Sequence, residues 1–332
     1  MPSLDIKSQE WLDQVIEDVL EPDLPIIDPH HHLWPVGGFW PYTIAELTAD
    51  LTDGHNVVNT VFVECHAAYR TDTAPELASL GETEFVAGVA RTDPRRAIAG
   101  IVANVDLRLD ALDEVLDAHE SAGGGLLRGI RHALSRAEEP EFLTIPGAAP
   151  KDLHLDPGFQ RGVRRLGERG MTYDSWHYHY QIREFTELAR AVPGTTMVHD
   201  HFGTPSYHGK YASRRDDVFE QWKRDTVELA KCDNVVAKIG GISMPDNGTG
   251  WNADSRPPTS DEYVARLAPY FLHTIEAFGP ERCMFESNFP VDKLSLSYRT
   301  VWNAYKKISA GFSATERAAL FSGTARRVYR LP

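Results

Sequence analysis

The sequence predicts an α/β protein built as a (β/α)8 TIM barrel, and three observations support this fold class. The chain has 332 residues, which fits the ~250 residues of such a barrel with room for extensions. Short apolar runs alternate with helical patterns, as expected where helices join parallel strands. Eight of these runs can be counted, and eight βα units are the number that closes a barrel.

The candidate strands are short apolar runs, and polar residues follow most of them. The first run leads into Asp28-Pro29-His30-His31-His32, which lacks the Gly-rich turn expected after the first strand of an open, doubly wound sheet. A closed barrel is therefore favoured. The eight predicted strands are Leu24–Asp28, Thr60–Glu64, Phe85–Ala90, Leu126–Ile130, Met171–Asp174, Thr195–Val198, Val235–Ile239 and Cys283–Phe285.

Helices and long loops are predicted between the strands. Three insertions rich in proline and glycine, Arg136–Pro157, Thr204–Arg215 and Met244–Thr259, are expected where strands and helices connect. Loops of this length often cover a site, so we predict a barrel with long loops at its mouth. The predicted helices are Ala111–Ser121, Gln160–Arg169, Ile182–Ala191, Val218–Ala230 and Tyr263–Phe278.

One barrel domain is predicted, residues 23–332, preceded by a helical extension at residues 1–22. Residues 296–332 are expected to be helical and to complete the outer ring of helices. No linker rich in glycine and serine divides the sequence, so we do not expect a second large domain.

Charge and composition narrow the classes of partner. The chain has 34 lysine and arginine residues against 48 aspartate and glutamate residues, a net charge of −14. This excess of acid argues against nucleic acid or an anionic membrane as a partner. No apolar run approaches the ~18 residues of a membrane span, and the first residues lack signal-peptide features. Because three widely spaced cysteines suggest reduced thiols, we expect a cytoplasmic protein with a small-molecule substrate, as a monomer or a homo-oligomer.

Polar side chains follow the predicted strands at the barrel mouth, where the catalytic groups of such barrels lie. Asp28, His30 and His32 alternate along an extended backbone and so share one face. Two imidazoles on one face can bind a divalent metal or an anionic substrate oxygen. The alternative is a pair of structural histidines with satisfied hydrogen bonds.

The second and fourth strands also end in side chains suited to a site. Glu64 and His66 form an i, i+2 pair after the second strand, although a structural carboxylate would explain Glu64 equally well. Arg128 and Arg131 lie on opposite faces of the fourth strand, and the register decides which one enters the barrel. We prefer Arg131 as the ligand of a substrate carboxylate, which a guanidinium binds through two hydrogen bonds.

Three more strand ends contribute candidate residues. His199 and His201 are placed on one face of the sixth strand, and either could supply a third imidazole. Lys238 in the seventh strand is either a partner for an oxyanion or a structural salt-bridge lysine. Asp174 and Trp176 follow the fifth strand, where the spacing assigns no role and makes them candidates for substrate binding.

Four short motifs follow one another along the chain, each at the end of a predicted strand. They are Asp28-x-His30-x-His32, the Gly-Ile-Arg that ends at Arg131, the Asp-His-Phe-Gly around His201 and the Ser-Asn-Phe-Pro around Asn288. Together they resemble the amidohydrolase-related (amidohydrolase 2) family of the amidohydrolase superfamily, in its lactonase-like and decarboxylase-like branch, from about residue 24 onwards. The resemblance implies a distorted TIM barrel that opens lactones or, with a metal, decarboxylates aromatic and related acids.

The resemblance also implies roles for individual residues. His30 and His32 match the histidine pair of the first strand, His201 matches the histidine of the sixth, and Arg131 matches an arginine that holds a substrate carboxylate. The three histidines would be the ligands of a divalent metal, with zinc the first choice. Some lactonases of this branch need no metal, so a weak or missing metal is the alternative.

The eighth strand departs from the family motif. The family turn reads Gly-Ser-Asp-Trp-Pro, with an aspartate that is a metal ligand or general base, whereas this chain has Glu286-Ser287-Asn288-Phe289-Pro290. An amide has no useful basicity, so Asn288 cannot accept a proton from water. Glu286 shares a face with Asn288 and is the candidate replacement. The alternative is that Glu286 is buried and paired with a lysine or an arginine.

Hydrolysis of a lactone is the function that we expect first, with water activated by Glu286 or by a metal on His30 and His32. Aromatic residues near the mouth favour a substrate that contains a ring, and Arg131 favours one that carries a carboxylate. Non-oxidative decarboxylation is the alternative, although Asn288 weakens the metal site that it needs. Amide or imide hydrolysis and a non-catalytic binding barrel are further hypotheses. The aromatic residues are Phe39, Trp40, Tyr42, Trp176, Tyr178, Tyr207, Trp251 and Phe289.

Overall fold

Eight parallel strands follow one another around the barrel in sequence order, which confirms the predicted (β/α)8 fold. The computed structural model describes residues 6–332. Register shifts occur in the first three strand pairs. The strands are β1 (Ile26–His31), β2 (Val57–Val63), β3 (Ile98–Ala103), β4 (Leu127–Arg131), β5 (Thr172–Ser175), β6 (Met197–His199), β7 (Val235–Ile239) and β8 (Cys283–Phe285).

The barrel closes where the chain leaves β8 and meets β1. The backbone N–H of Asn288 donates to the carbonyl oxygen of His30 at 2.9 Å. The carboxylate of Asp28 accepts hydrogen bonds from the hydroxyls of Ser287 at 2.6 Å and Tyr298 at 3.0 Å. Burial raises the pKa of Asp28 to about 6 in spite of these donors. Asp28 therefore joins the first and last strands of the barrel.

Helices surround the barrel, and several begin at a capping box. Thr43, Thr259 and Ser313 each accept a hydrogen bond from the first turn of a helix, while a glutamate three residues later bonds back to the cap. The five predicted helices are confirmed to within three residues at each end. The helices are α1 (Gln9–Leu12), α2 (Ile44–Leu51), α3 (Leu80–Thr92), α4 (Leu112–Gly123), α5 (Pro157–Glu168), α6 (Ile182–Ala191), α7 (Arg215–Ala230), α8 (Ser260–Phe278), α9 (Tyr298–Ile308), α10 (Ala314–Ala318) and α11 (Thr324–Val328).

The prediction of a third strand at Phe85–Ala90 is wrong. These residues lie in α3, and the third strand is Ile98–Ala103. Thr83, Val86, Ala87 and Ala90 are buried at the i, i+3, i+4 and i+7 spacing of a helix. Periodicity alone does not separate a short apolar run in a helix from a buried strand. The true strand has a weaker apolar signal, because half of its six buried residues are alanine or glycine.

The segment before β1 is mostly irregular. Among residues 6–22, helix is limited to the single turn Gln9–Leu12, so the predicted helix along the extension is not observed there. Residues 1–5 of that extension lie outside the described residues. The carboxylate of Glu17 docks the segment by accepting hydrogen bonds from the N–H and hydroxyl of Ser260, both at 2.6 Å, and from the amide of Asn303 at 3.0 Å. The domain boundary after residue 22 stays a prediction.

The last part of the chain is helical, as predicted, and fills one end of the barrel. A π-helical turn at Ala319–Gly323 joins α10 to α11. Val328, Tyr329 and Leu331 pack against the inward-facing apolar residues of the strands. Leu331 also lies against Gly100, near the start of β3. This segment therefore covers the amino-terminal end of the barrel and leaves the carboxyl-terminal mouth to the loops.

The main hydrophobic core lies between the strands and the surrounding helices, with Phe159, Phe185 and Trp222 fully or almost fully buried in it.

All three cysteines of the chain are free thiols. Among residues 6–332, no helix combines the length and the apolar character that crossing a membrane requires.

Candidate active site

The candidate site lies at the carboxyl ends of the strands, where side-chain alternation brings polar residues into the barrel. Val236 and Lys238 of β7 share the inner face, as do Met284 of β8 and Glu286 just after it. The apolar member of each pair fills the barrel interior, and the polar member reaches the mouth. The site residues with exposures of 0 to 7% are His30, His32, Glu64, Arg131, Asp174, His201, Lys238, Glu286 and Asn288.

Glu286 lies at the centre of the site between two histidines. Its Oε1 accepts a hydrogen bond from Nδ1 of His201 at 2.7 Å, and its Oε2 lies 2.9 Å from Nδ1 of His30. Oε2 is buried and has no hydrogen-bond donor. Among the described residues, Lys238 pairs with two other carboxylates instead. The structural alternative, in which Glu286 is paired with a lysine or an arginine, is therefore not observed.

The backbone after β6 turns His201 into the site. The strand ends at His199, and His201 and Phe202 then adopt left-handed conformations, with φ of 55° and 57°. Such conformations are uncommon outside glycine and cluster at functional sites. The opposing loop leaves room for the imidazole, because a Cβ at Gly241 would lie 2.1 Å from Nδ1 of His201. Gly241 also has a φ of 65°, which favours glycine for a second reason.

His30 and His32 lie edge to face at the end of β1, with ring centroids 4.9 Å apart. Burial lowers the pKa of His30 well below its usual value, and the positive charge of Lys238 lowers it further. Burial also lowers the pKa of His32. Nδ1 of His32 donates to the carbonyl oxygen of Val63 at 2.8 Å, which leaves the lone pair on Nε2. Both imidazoles are therefore neutral, the form that binds a metal or accepts a proton.

Three potential metal ligands converge in the site. One atom each from His30, His201 and Glu286 lie within 4.8 Å of one another, and all three residues are buried. Two imidazoles and a carboxylate are a donor set typical of catalytic zinc. This set differs from the predicted trio of histidines, because Glu286 belongs to it and His32 does not.

Arg131 faces the site, whereas Arg128 bonds to backbone carbonyls near the opposite end of the barrel. Glu64 occupies most of the Arg131 guanidinium: Nε donates to its Oε1 at 2.6 Å, and Nη2 donates to its backbone carbonyl oxygen. Nη1 lies 3.5 Å from Nε2 of His30 and 3.7 Å from Oδ2 of Asp200. The preferred register is thus confirmed, but only one arm of Arg131 is open to a substrate oxygen.

Glu64 and His66 lie at the edge of the site. Oε2 of Glu64 is buried without a hydrogen-bond donor, 3.8 Å from Nε2 of His66, whose side chain is 73% exposed. Glu82 of α3 holds the intervening loop by accepting hydrogen bonds from the N–H groups of Cys65 at 3.0 Å and Ala67 at 2.7 Å. Burial, together with the charge of Glu64, raises the pKa of Glu82 to about 8.

Lys238 belongs to a buried ion cluster beside Glu286. Its Nζ donates to Oδ2 of Asp174 at 2.9 Å and lies 3.3 Å from Oδ1 of Asp200. Burial alone would lower the pKa of Lys238, but the two carboxylates raise it above its usual value. Asp174 also accepts hydrogen bonds from the hydroxyls of Thr172 at 2.7 Å and Tyr329 at 2.5 Å. Lys238 is therefore the salt-bridge lysine of the two alternatives.

Sequence analysis did not select Asp200 as a site residue. Both of its carboxylate oxygens are buried without a hydrogen-bond donor. Oδ1 lies 3.3 Å from Nζ of Lys238, and Oδ2 lies 3.7 Å from Nη1 of Arg131. Strand alternation carried the signal, because Asp200 comes two residues after the inward-facing Val198.

His199 points away from the site, so the expectation that it shares a face with His201 is wrong. Its ring stacks on Phe185 of α6 and Phe278 of α8, and its Nδ1 lies 3.1 Å from Nε2 of His177. The alternation rule applies only within the strand, which ends at His199. The two left-handed residues that follow then reverse the expected direction of His201.

Most of the aromatic residues expected at the mouth serve as packing groups. Trp40 and Tyr42 are buried, and Phe39 is exposed. Trp251 stacks on Tyr263 of α8. Trp176 links two loops, because its Nε1 donates to Oγ1 of Thr204 at 3.0 Å.

Asn288 stabilises the turn after β8. It adopts a left-handed conformation with a φ of 56°, and its Nδ2 donates to Oδ1 of Asp292 at 3.0 Å. Burial raises the pKa of Asp292 to about 7. Asn288 thus acts as a hydrogen-bond donor within the turn, next to the site but not as its base.

The sequence matches a known protein family over most of its length. A family model described as amidohydrolase matches residues 27–331. The chain belongs to the amidohydrolase family. It is therefore a hydrolase of that superfamily, and the resemblance inferred from the four motifs is confirmed.

Relatives of this amidohydrolase match it along nearly their whole length. The protein y4mH of Sinorhizobium fredii is 31% identical, over 93% of this chain and 99% of the relative. The L-fucono-1,5-lactonase of Burkholderia multivorans is 28% identical, over 92% of this chain and 96% of that protein. Two crystal structures of a B. multivorans amidohydrolase, one with bound HEPES and one with bound zinc, superpose with TM-scores of 0.73 and 0.72 at 26% identity, and cover 92% of this chain and 99% of theirs.

Proposed function

We propose that this amidohydrolase opens the ester ring of a lactone by hydrolysis. The observation that supports this most directly is Oε2 of Glu286, a carboxylate oxygen at the barrel mouth that is buried and has no hydrogen-bond donor. The similarity to an L-fucono-1,5-lactonase along almost the full length supports the same reaction. The expected substrate is a small cyclic ester that carries a carboxylate or a further ring.

Glu286 is the general base in this proposal. Its Oε2 takes a proton from the attacking water, while the hydrogen bond from Nδ1 of His201 to Oε1 keeps the carboxylate in place. The water oxygen bonds to the carbonyl carbon of the lactone, and the ring C–O bond breaks. The proton then passes from Glu286 to the departing alkoxide oxygen, so lactone and water give one hydroxycarboxylic acid, which releases its carboxyl proton to solvent.

Arg131 positions the substrate in this proposal. Glu64 holds Nε and Nη2, so Nη1 is presented to the site beside His30 in a fixed direction. A hydrogen bond from Nη1 to a carboxylate or carbonyl oxygen of the substrate then costs little conformational entropy, because the side chain is already ordered.

The residues present fit a divalent metal. His30, His201 and Glu286 would hold it, since their ligand atoms converge, and Glu286 would then be a ligand in place of its role as general base. The formal charge of the site also favours a dication, because Arg131 and Lys238 face four carboxylates. When bound, such an ion supplies Lewis-acid polarisation of the substrate carbonyl group. The four carboxylates are Glu64, Asp174, Asp200 and Glu286.

The test is a substrate panel combined with one isosteric substitution. Purified protein is given sugar lactones and aromatic lactones, and acid release is followed with a pH indicator, while aromatic acids are tested for release of CO2. We expect lactone hydrolysis, with a fall in kcat of at least ~10²-fold in Glu286→Gln, which keeps the shape and removes the base. Glu276→Gln on the exposed face of α8 is the matched control.

Two results would count against the proposal in different ways. Full lactonase activity of Glu286→Gln would remove Glu286 from the reaction but leave the reaction class intact. Release of CO2 from an aromatic acid, with no lactone hydrolysed, would replace the proposed reaction with decarboxylation.

A further inference from the structure

A second pocket lies on the flank of the barrel, outside the mouth. It is a cavity of about 220 Å³ between α7, α8 and the loops that follow β6 and β7. Phe219, Ile242 and Leu267 give this flank pocket an apolar wall. Arg215 and Arg266 also line the pocket. It shares no lining residue with the candidate active site.

Neither arginine of the flank pocket forms an ion pair with a described residue. The guanidinium carbon of Arg215 lies 4.6 Å from the ring centroid of Tyr207, and that of Arg266 lies 5.2 Å from the ring of Trp251. Each donates one hydrogen bond of 2.6 Å to a backbone carbonyl oxygen. Within residues 6–332, neither guanidinium has a carboxylate oxygen within 4.0 Å, although the chain has a net charge of −14. Asp216 also lines the pocket, which leaves its lining with a formal charge of +1.

Two residues that line the same cavity carry buried polar atoms without partners. Asn247 is 2% exposed, and its Nδ2 donates to the carbonyl oxygen of Pro205 at 2.7 Å. This bond fixes the amide and leaves Oδ1 buried with no donor. Oγ1 of Thr249, another lining residue, is also buried without a partner. Buried polar atoms without partners are rare in native proteins and call for a ligand or an ordered water.

We propose that the flank pocket binds a small hydroxycarboxylate with an apolar body. The carboxylate lies between Arg215 and Arg266, the hydroxyl group donates to Oδ1 of Asn247, and the apolar body covers Phe219 and Leu267. An acid without the hydroxyl would leave Asn247 unpaired, and a bare phosphate would leave the apolar wall uncovered. Ring opening of a lactone also yields a hydroxycarboxylate, but the proposal does not depend on that reaction.

The test uses mandelate, an aromatic hydroxycarboxylate, as the probe in calorimetric titrations of the full chain. We expect phenylacetate, which lacks the hydroxyl, and inorganic phosphate to bind at least about 10-fold more weakly. The double variant Arg215→Gln/Arg266→Gln should lose affinity for mandelate by at least about 10-fold, because it removes both charged donors. Arg214→Gln carries a single neutralised arginine next to the pocket and should bind as the wild type does.

A mouth variant separates the two sites. His30→Ala should bind mandelate with unchanged affinity; loss of binding in His30→Ala, with retention in the double arginine variant, would assign the ligand to the mouth and overturn the proposal. Phosphate binding as tight as mandelate binding would also overturn it, because the site would then recognise any anion. If the double variant does not fold by circular dichroism, Arg215→Lys and Arg266→Lys keep the charges and should each weaken binding through loss of the planar fork.

Discussion

The turn after β8 has Asn288 where the family motif has an aspartate, and it has Glu286 two residues earlier. Glu286 brings the carboxylate into the site, where it contacts His30 and His201. Asn288 keeps only a structural part, with a hydrogen bond to Asp292 that holds the turn. The carboxylate reaches the mouth because Glu286 comes two residues after Met284, which faces the barrel interior.

The affinity for zinc should depend more on His30 and His201, which belong to the converging ligands, than on His32, which does not. We expect His30→Ala and His201→Ala each to weaken zinc binding by at least ~10-fold, because each removes an atom of the ligand cluster. His32→Ala should weaken it less, since His32 lies outside that cluster. Titration against a zinc-sensitive dye measures the affinities, with the exposed His66→Ala as the matched control. Equal losses in His30→Ala and His32→Ala would contradict the cluster.

Side-chain alternation predicted some site residues and misplaced others for one physical reason. Lys238 lies inside β7, and Arg131 is the last residue of β4. The side-chain alternation of a strand therefore applies to both residues, and both side chains face inward. His201 lies beyond its strand, in a backbone turn with positive φ that no apolar pattern encodes. Burial of Asp200 beside two cations is a property of the closed barrel, and the sequence alone does not reveal such pairing between distant strands.

At the scale of elements, the loop after β7 sets the space available to His201. We expect Gly241→Ala to displace the imidazole, because the new Cβ would lie 2.1 Å from its Nδ1. A shift of about 1 Å in a catalytic group can reduce kcat by ~10²-fold, and steady-state kinetics would measure it. Gly250→Ala is the matched control: its φ is also positive, at 80°, but the methyl group meets nothing within 4 Å. If both variants lose activity equally, backbone strain and not contact with His201 is the cause.

The contact between α3 and α4 should make stability depend on pH. Burial lowers the pKa of His119 to about 4, and its Nδ1 lies 2.8 Å from Oγ1 of Thr83. The unfolded chain therefore binds more protons than the folded chain between pH 6.5 and 4. The stability that His119 contributes is present above pH 6.5 and is lost as the pH falls towards 4, by on the order of 2 kcal/mol.

Urea unfolding at several pH values tests this. The difference in unfolding free energy between the wild type and His119→Gln should shrink as the pH falls from 7 to 4. Thr92→Val at the exposed end of α3 removes no ionisable group and should show a constant difference. A constant difference for His119→Gln as well would show that its pKa is not lowered in the fold.

Elements with strong local signals could be predicted from the sequence, and elements that depend on tertiary contacts could not. Ile182–Ala191 has the same ends in prediction and structure, because its apolar stripe repeats at helical spacing. β3 was not predicted because half of its residues are alanine or glycine, whose hydrophobicity is weak. They are buried because neighbouring strands pack beside them. Residues 13–22 have charged residues at helical spacing, yet Glu17 bonds to Ser260 and Asn303 instead of supporting a helix.

At the scale of the whole molecule, one polar network connects the two ends of the barrel. The segment after α11 covers the amino-terminal end, and the hydroxyl of Tyr329 reaches Asp174, which bonds to Lys238 near the mouth. The ring of Tyr329 also lies under Lys238, with Nζ 5.3 Å from its centroid. Chain length and the alternation of apolar runs with helical patterns predicted the barrel, but not this internal connection.

Removal of that hydroxyl should destabilise the whole fold. We expect Tyr329→Phe to lower the free energy of unfolding by about 2 kcal/mol, because a buried carboxylate loses a donor. Tyr173→Phe is the matched control: Tyr173 is equally buried, but its hydroxyl donates to a neutral carbonyl oxygen, so a loss of about 1 kcal/mol is expected. Chemical denaturation measures both values, and equal losses would argue against a charged partner at Asp174.

The closure of β1 against β8 by Asp28 and Ser287 also has a kinetic consequence. These two residues are 259 positions apart, whereas each other strand pair joins neighbours along the chain. Closing so long a loop carries the largest entropic cost in the sheet, so we expect this seam to form after the other pairs during folding. Contacts made after the transition state govern the rate of unfolding more than the rate of folding. We therefore expect the seam between the first and last strands, beside the candidate active site, to govern how fast the enzyme unfolds.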